Sequence, residues 1–251
     1  MAEKYYDSER ALSEYLLFHY GGQADRIPVS LAAALQFPVR CVKECLDATL
    51  LPFQARALDL GCAVGRSSFE LARHCAQVLG IDFSANFIHV STHLRDTGSF
   101  DFNYIEEGEL TRPHRAVVPP DIDRKRVNFE QGDAVNLRSG LGQFDVVLMA
   151  NLIDRVANPA RCLEQLPGLL KPGGQLVITS PYTWLPEYTP RENWLGGFIR
   201  DGQPVQTFDT LKKILTPKNE LSYRQDLPFV IREHARKYQL GLADATCWIR
   251  R

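Results

Sequence analysis

Between residues 55 and 181, five short apolar runs alternate with stretches of helical patterning. The runs are ARALDLG (55–61), QVLGIDF (77–83), VNFEQGD (127–133), FDVVLMA (144–150) and QLVITSP (175–181). Helical patterns fill 66–76, begin again near Ser84, and occupy NPARCLEQLPGLL (158–170) before Lys171-Pro172-Gly173-Gly174. Strands apolar on both faces need cover on both faces, and a helix between two strands returns the chain so that they run parallel. The last part, LPFVIREHARKYQLGLADATCWIRR, shows two extended segments joined near Gly241 with no helix between them, which predicts an antiparallel pair. The expected fold is α/β: a doubly wound, mainly parallel seven-stranded sheet with a C-terminal antiparallel hairpin.

One domain over residues 1–251 is expected, with a helical cap (1–54), a core (55–181), a loop (182–206), and a helix followed by the terminal hairpin (207–251). In the cap, SERALSEYLLFHY has apolar residues at 11, 12, 15, 16 and 18, with Ser8 as N-cap and Gly21-Gly22 as the stop. A second helical region, 29–50, is interrupted at Pro38, where a new helix is expected to start. Two insertions stand out. Residues 98–126 lengthen the connection before the third run, and 182–206 form a Pro- and aromatic-rich loop, read as a lid with Gly196, Gly197 and Gly202 as hinges.

Formal net charge is -1, which argues against non-specific binding to nucleic acid or to an anionic membrane. No run approaches the roughly 18 apolar residues of a membrane span, and the N-terminus lacks the apolar segment of a secretory signal. The six cysteines include no C-x-x-C pair and the six histidines form no facial set, so a reduced, cytoplasmic chain without a metal is expected.

The motif that carries chemistry follows the first run, in ALDLGCAVGRSSFELAR. A dinucleotide fingerprint starting at Gly61 needs glycine at 63 and 66, where the chain has Ala63 and Arg66, and no phosphate-binding Gly-Lys-Ser/Thr follows. Asp59-x-Gly61-x-Ala63-x-Gly65 instead resembles the first motif of class I S-adenosylmethionine-dependent methyltransferases. That cofactor has no phosphate, so one methyl group at Ala63 is tolerable. The resemblance implies a Rossmann-like fold in which Asp59, Gly61, Ala63 and Gly65 cradle the cofactor. It further implies that Asp82, beside Phe83, meets the ribose hydroxyls, that Asp133, beside Ala134, lies near the adenine amino group, and that Asn151 completes the set after the fourth strand. All follow apolar runs, at the edge where open α/β sheets bind ligands.

A narrower resemblance covers Tyr5 to about Trp248. YYDSERALSEYLLFHYG, FPVRCVKECLD, GIDFSANFI and LPFVIREHARKYQ, with the glycine loop, resemble the C-terminal methyltransferase domain of the ovothiol-biosynthesis enzyme. It implies methylation of the imidazole π-nitrogen of 5-thiohistidine to give ovothiol A, with S-adenosylhomocysteine released. In that family the domain commonly follows an iron-dependent sulfoxide synthase, so a separately encoded synthase is the expected partner; an excised domain fits this chain equally well.

An amino-acid acceptor calls for a cation at its carboxylate and aromatic walls for its ring. The candidates are Tyr5, Tyr6, Tyr15 and His19 from the N-terminal helix, Asn151, Asp154 and Arg155 after the fourth strand, and Tyr182, Trp184 and Tyr188 after the fifth, with Arg40 from the resemblance alone. Asn151, His19 and Asp154 are the expected catalytic residues. Each has an ordinary alternative: packing for Tyr15, a helix-end dipole contact for His19, an ion pair for Asp154 and Arg155, and loop anchoring for Tyr182 and Trp184. Another small-molecule acceptor, or a cofactor-binding subunit without catalysis, also fits these motifs.

Overall fold

The computed structural model describes residues 5–21 and 34–251. The expected architecture is present. A seven-stranded sheet has the order β10-β11-β7-β6-β1-β2-β5. Its strands are β1 (Arg56–Leu60), β2 (Gln77–Asp82), β5 (Val127–Gln131), β6 (Phe144–Ala150), β7 (Leu170–Ser180), β10 (Asn219–His234) and β11 (Lys237–Arg250). The first five run parallel, β11 runs antiparallel to β7, and β10 antiparallel to β11. From β1 the chain winds outward through β2 to β5, then crosses back to β6 and β7 on the other side. This reversal places a crevice at the carboxyl ends of β1 and β6.

Strands β1, β2, β6 and β7 are held between two cores. On β1, Ala57 belongs to one apolar cluster, while Leu58 and Leu60 belong to the other. The first cluster is covered by α2 (Phe37–Lys43), α3 (Arg66–Leu71) and α4 (Ala85–Thr97). The second is covered by α5 (Pro159–Leu169) and α6 (Thr207–Leu215). Two-sided burial is why these strands read as continuous apolar runs.

Local signals act where the sequence places them. Helix α1 (Glu9–Tyr20) starts at Ser8, whose side chain accepts from the Ala11 N–H, and ends at Gly21, whose N–H donates to the Leu17 carbonyl. Pro38 lies in the first turn of α2, and Ser84 caps α4 through the Phe87 N–H. Gly22 and residues 29–33 of the second expected helical region lie outside the described residues. Helix α3 is shorter than expected, closing at Ala72.

Three expectations need correction. Residues 98–126 are not an irregular loop: β3 (Ser99–Glu107) and β4 (Leu110–Val117) form a separate antiparallel hairpin. Its inner face, including Tyr104 and Ala116, is buried. The terminal hairpin turns at residues 235–236, not near Gly241. Gly241 lies within β11 opposite Phe229, and a Cβ there would meet Phe229 Cζ at 2.2 Å. The glycine makes room for a ring rather than a turn.

Residues 182–206 form a packed wall rather than an open flap. Trp184 and Leu195 are buried, Thr189 Oγ1 donates to the Val156 carbonyl and Asn193 Nδ2 to the Ala157 carbonyl. Gly196 is no hinge: its backbone lies against Thr207, where a Cβ would fall 2.2 Å from the Thr207 nitrogen. The segment ends in a small hairpin, β8 (Phe198–Arg200) and β9 (Gln203–Val205), with Gly202 in its turn at φ 74°.

The β10–β11 hairpin outruns the sheet. Pairing with β7 spans 244–249 of β11, so the stretch from Leu227 to Ala243 projects past the carboxyl ends of the strands. It meets β3 there, where the Ala235 N–H donates to the Ile105 carbonyl. It also meets α1 and α2, where Phe229 packs on Phe18 and Phe37. Among the described residues no helix is long and apolar enough to cross a membrane, and no three His, Cys, Asp or Glu side chains are placed to hold a metal.

Candidate active site

The loop from Gly61 to Gly65 turns because its residues take left-handed backbone angles: φ is 73° at Gly61, 47° at Ala63 and 82° at Gly65. Glycine adopts these angles freely, and Ala63 does so at a cost of about 1–3 kcal/mol that its surroundings must offset. They do so with backbone bonds. The Gly61 and Cys62 N–H groups donate to the Ile81 carbonyl at 2.8 and 3.1 Å, and the Ala63 N–H to Asp82 Oδ2 at 2.9 Å. Asp82 Oδ1 accepts from the Ser84 N–H at 2.9 Å, so one carboxylate ties the first loop to the start of α4. Burial pushes Asp82 up to about 6, opposed by these N–H bonds.

Asp59 is almost fully buried, and its Oδ2 accepts from the Ser67 and Ser68 hydroxyls at 2.7 and 2.6 Å, clamping the first turn of α3 to β1. Its other oxygen, Oδ1, has no protein partner among the described residues, and burial pushes its carboxyl up to about 6. Ser67 and Ser68 were not read as site residues from sequence. Their spacing after Asp59, at the first turn of a helix, is the signal that would have found them.

Phe83, beyond β2, is 52 % exposed, an unusual position for a phenyl ring and an apolar surface open to a ligand. After β5, Asp133 accepts from the Val135 N–H at 2.8 Å and from Asn136 Nδ2 at 2.7 Å, and Ala134 is buried beside it. After β6, Asn151 sits at φ 52°, its N–H on the Thr179 carbonyl at 2.9 Å and its Oδ1 accepting from Thr179 Oγ1 at 3.0 Å. Its Nδ2 has no protein acceptor among the described residues. After β7, Tyr182 is again left-handed at φ 53°. Three of the five non-glycine residues with positive φ among the described residues thus lie at one sheet edge, where strained backbone marks a functional site.

Helix α1 and the segment before it close this edge. Tyr20 donates to the Val64 carbonyl at 3.0 Å, and Ser84 Oγ donates to Asp7 Oδ1 at 2.8 Å, so the helix is tied across both the glycine loop and the end of β2. Its aromatic side chains meet those of two distant segments. The Tyr6 ring lies 6.0 Å from Tyr15, 6.2 Å from Phe87 and 5.9 Å from Tyr188, and Tyr15 is 4.8 Å from Phe87. Arg155 lies over the Tyr188 ring at 4.9 Å. Its Nη1 donates to the Thr183 carbonyl at 2.8 Å and to Asp154 Oδ2 at 3.1 Å. Phe87 was not among the candidates read from sequence; its place on the inward face of α4, three residues after the cap, is the available signal.

Other expected residues have different work. His19 is buried, and desolvation lowers it to about 3, so it is neutral and too weak a base to take a proton near pH 7. Asp154 is buried and accepts from the Thr183 N–H and Arg155, joining the turns after β6 and β7; its Oδ1 is closed off from solvent. Arg40 is committed to Glu44 (2.6 and 3.1 Å) and to the Pro228 carbonyl (2.7 Å), bracing the terminal hairpin rather than facing this edge. Trp184 is buried, with Nε1 donating to Thr207 Oγ1 at 2.9 Å.

A family model described as a methyltransferase domain matches residues 58–176, from the middle of β1 to the middle of β7. Among curated relatives, the ubiquinone biosynthesis O-methyltransferase of Coxiella burnetii is 28% identical over 123 residues, 49% of this chain and 42% of the relative. The demethylmenaquinone methyltransferase of Clavibacter sepedonicus is 32% identical over 123 residues, 49% of this chain and 40% of the relative. The chain thus spans about two fifths of the length of the curated relatives it matches. Among solved structures, the cyclase SpnF superposes with a TM-score of 0.61 at 17% identity, covering 100% of this chain and 97% of that one. A S-adenosylmethionine-dependent methyltransferase from Methanosarcina mazei gives 0.55 at 20% identity, covering 80% and 95%. The N-methyltransferase NodS from Bradyrhizobium japonicum, in complex with S-adenosylhomocysteine, gives 0.53 at 14%, covering 95% and 98%. These likenesses establish the Rossmann-like fold. The donor set at its carboxyl edge also fits the cofactor: a glycine loop without a phosphate cradle, and a strand-end carboxylate with a lone pair free on each oxygen after its backbone bonds.

Proposed function

We propose that the protein is a S-adenosylmethionine-dependent N-methyltransferase that methylates the imidazole π-nitrogen of 5-thiohistidine, forming ovothiol A. One observation carries the reading: the N-terminal segment, whose resemblance to the ovothiol family is more specific than that of the glycine loop, supplies Tyr6 and Tyr15, half of the aromatic wall beside the cofactor loop. Bound S-adenosylmethionine supplies an electrophilic methyl group on a sulfonium with a neutral thioether as leaving group. In this reading Gly61, Ala63, Gly65, Asp82 and Phe83 hold it, with Asp133 and Ala134 at its adenine end.

The chain's residues contribute mainly orientation, worth about 7–11 kcal/mol where the geometry is favourable. Tyr6, Tyr15, Phe87 and Tyr188 wall the acceptor ring. Arg155 takes the acceptor carboxylate through Nε and Nη2, which have no protein acceptors among the described residues. Asn151, held by Thr179, offers Nδ2 to the ring. Asp154 is a positioning residue for Arg155. A neutral imidazole already bears one lone pair in its plane, so the ring nitrogen needs no base before attack, and the second nitrogen's proton leaves to solvent. A separately encoded sulfoxide synthase is the proposed source of the acceptor.

The relatives named as quinone-pathway methyltransferases support a second reading, in which a small hydroxylated ring occupies the same wall. The deciding experiment is S-adenosylhomocysteine release with 5-thiohistidine, histidine and a catechol in parallel, with the methyl position assigned by NMR. Turnover of 5-thiohistidine at the π-nitrogen, with histidine far slower because a site built for a polar substituent is left unpaired without it, supports the first reading. Turnover of the catechol alone replaces it with the second. Cofactor binding without turnover of any acceptor points to a non-catalytic subunit.

A further inference from the structure

A groove of about 470 Å³ opens between the β8–β9 hairpin, the start of α6 and β10. Its volume falls in the range of small-ligand sites. Trp184, Phe198 and Phe208 contribute aromatic surface, and Arg224 is the one charged side chain on its lining.

That guanidinium is held in advance of any ligand. It lies over the Phe208 ring, 3.7 Å from the centroid. Its Nε donates to Asp244 Oδ1 at 2.8 Å, and the other oxygen of Asp244 accepts from the Tyr182 hydroxyl at 2.7 Å. Asp244 is thereby satisfied on both oxygens by β10 and by the exit of β7. One face and one edge of Arg224 are occupied, while its two Nη groups have no acceptor among the described residues. Asp226 contributes to the field at Arg224 without pairing with it. A buttressed guanidinium with two parallel N–H groups free matches a carboxylate, whose two oxygens accept them together.

We propose that this groove is a second small-molecule site, separate from the cofactor cleft, that binds an aromatic carboxylate with its ring on the aromatic lining and its carboxylate on the Nη groups of Arg224. The assignment does not depend on which acceptor is methylated. Tyr182 positions Asp244, which in turn positions Arg224.

The test uses the whole chain and benzoate as probe, with benzamide as the neutral counterpart, followed by saturation-transfer NMR and titration. Benzoate is expected to bind and benzamide to bind at least about tenfold more weakly, the scale of losing one charge-assisted pair. Arg224→Met is expected to weaken benzoate by a similar factor. Its S-adenosylhomocysteine affinity should stay within about twofold of wild type, which also reports an intact fold. Tyr182→Phe, which frees one oxygen of Asp244, is expected to weaken benzoate less than Arg224→Met does. No benzoate binding, equal binding of benzamide, or benzoate affinity unchanged in Arg224→Met overturns the proposal. Competition then assigns the source: displacement by 5-thiohistidine makes the groove a station for the acceptor, and no displacement makes it a site for a separate metabolite.

Discussion

The Gly61–Gly65 loop and the aromatic wall around Tyr6 lie on the same edge of one sheet, yet they are built in opposite ways. The loop is local. Five consecutive residues between β1 and α3 take their angles from glycine's freedom and from N–H bonds to the end of β2. The wall is assembled from four separate segments: the N-terminus, α4, the turn after β6 and the segment after β7. Nothing in the local sequence of Tyr188 tells it to meet Tyr6. A ligand held by the loop is therefore read by a motif, and a ligand held by the wall is read by packing. Substitutions in one should leave the other's ligand nearly untouched.

The harshest way to break that separation is Gly65→Ala. The residue sits at φ 82°, and an added Cβ would meet Phe129 Cζ at 2.5 Å and Ser91 Cβ at 3.2 Å. Strain of about 1–3 kcal/mol, with the clash added, should lower cofactor affinity about a hundredfold or more by calorimetry. A thermal melt checks folding, and an unchanged affinity would show that the loop does not hold the cofactor.

Asp82→Asn is the next test, expected to weaken the cofactor about tenfold to a hundredfold, the range for hydrogen bonds to a charged group. Its pH dependence has a definite sign. Burial raises the free carboxyl to about 6, so it is ionised at pH 7.5 and mostly protonated at pH 5. If the ionised form binds the ribose hydroxyls, affinity falls about tenfold over that interval. Asp59 rises to about 6 as well, so the Asp82→Asn variant is also the control: the part of the slope that belongs to Asp82 must vanish in it.

On the wall, Arg155→Met should raise the acceptor KM about tenfold, as expected for a lost charge-assisted bond, while S-adenosylhomocysteine binds within about twofold of wild type. A change confined to the cofactor's affinity would mean that the two regions are not separable in this way.

Smallest of all is Ser8→Ala. Removing the acceptor of the Ala11 N–H should cost about 1 kcal/mol and lower the Tm by about 2–4 °C in a domain of this size. A melt identical to wild type would show that α1 needs no cap because packing alone holds it.

The errors of sequence reading share one cause. Gly241 has the residue type of a turn, but the reason for its glycine is the Phe229 ring on the neighbouring strand. Gly196 has the residue type of a hinge, but it is a close approach to Thr207. His19 has the residue type of a base, but burial against α1's aromatic neighbours takes its proton affinity away. Arg40 has the charge to hold a carboxylate, and Glu44 and the Pro228 carbonyl already occupy it. In each, residue type can be read from the chain, and residue role is set by what packs against the side chain or backbone.

The alternation of strand and helix, the parallel sense of the core, the helix cap at Ser8 and the turn chemistry of the glycine loop were legible in the sequence alone. Each depends on alternation, capping or allowed φ over a few consecutive residues. The aromatic wall, the bond from the Thr183 N–H to Asp154, and the Tyr182–Asp244–Arg224 chain beside the groove were decided only by the tertiary structure. They bring together side chains whose segments carry no mutual signal until the sheet has ordered its strands and the projecting hairpin has found β3.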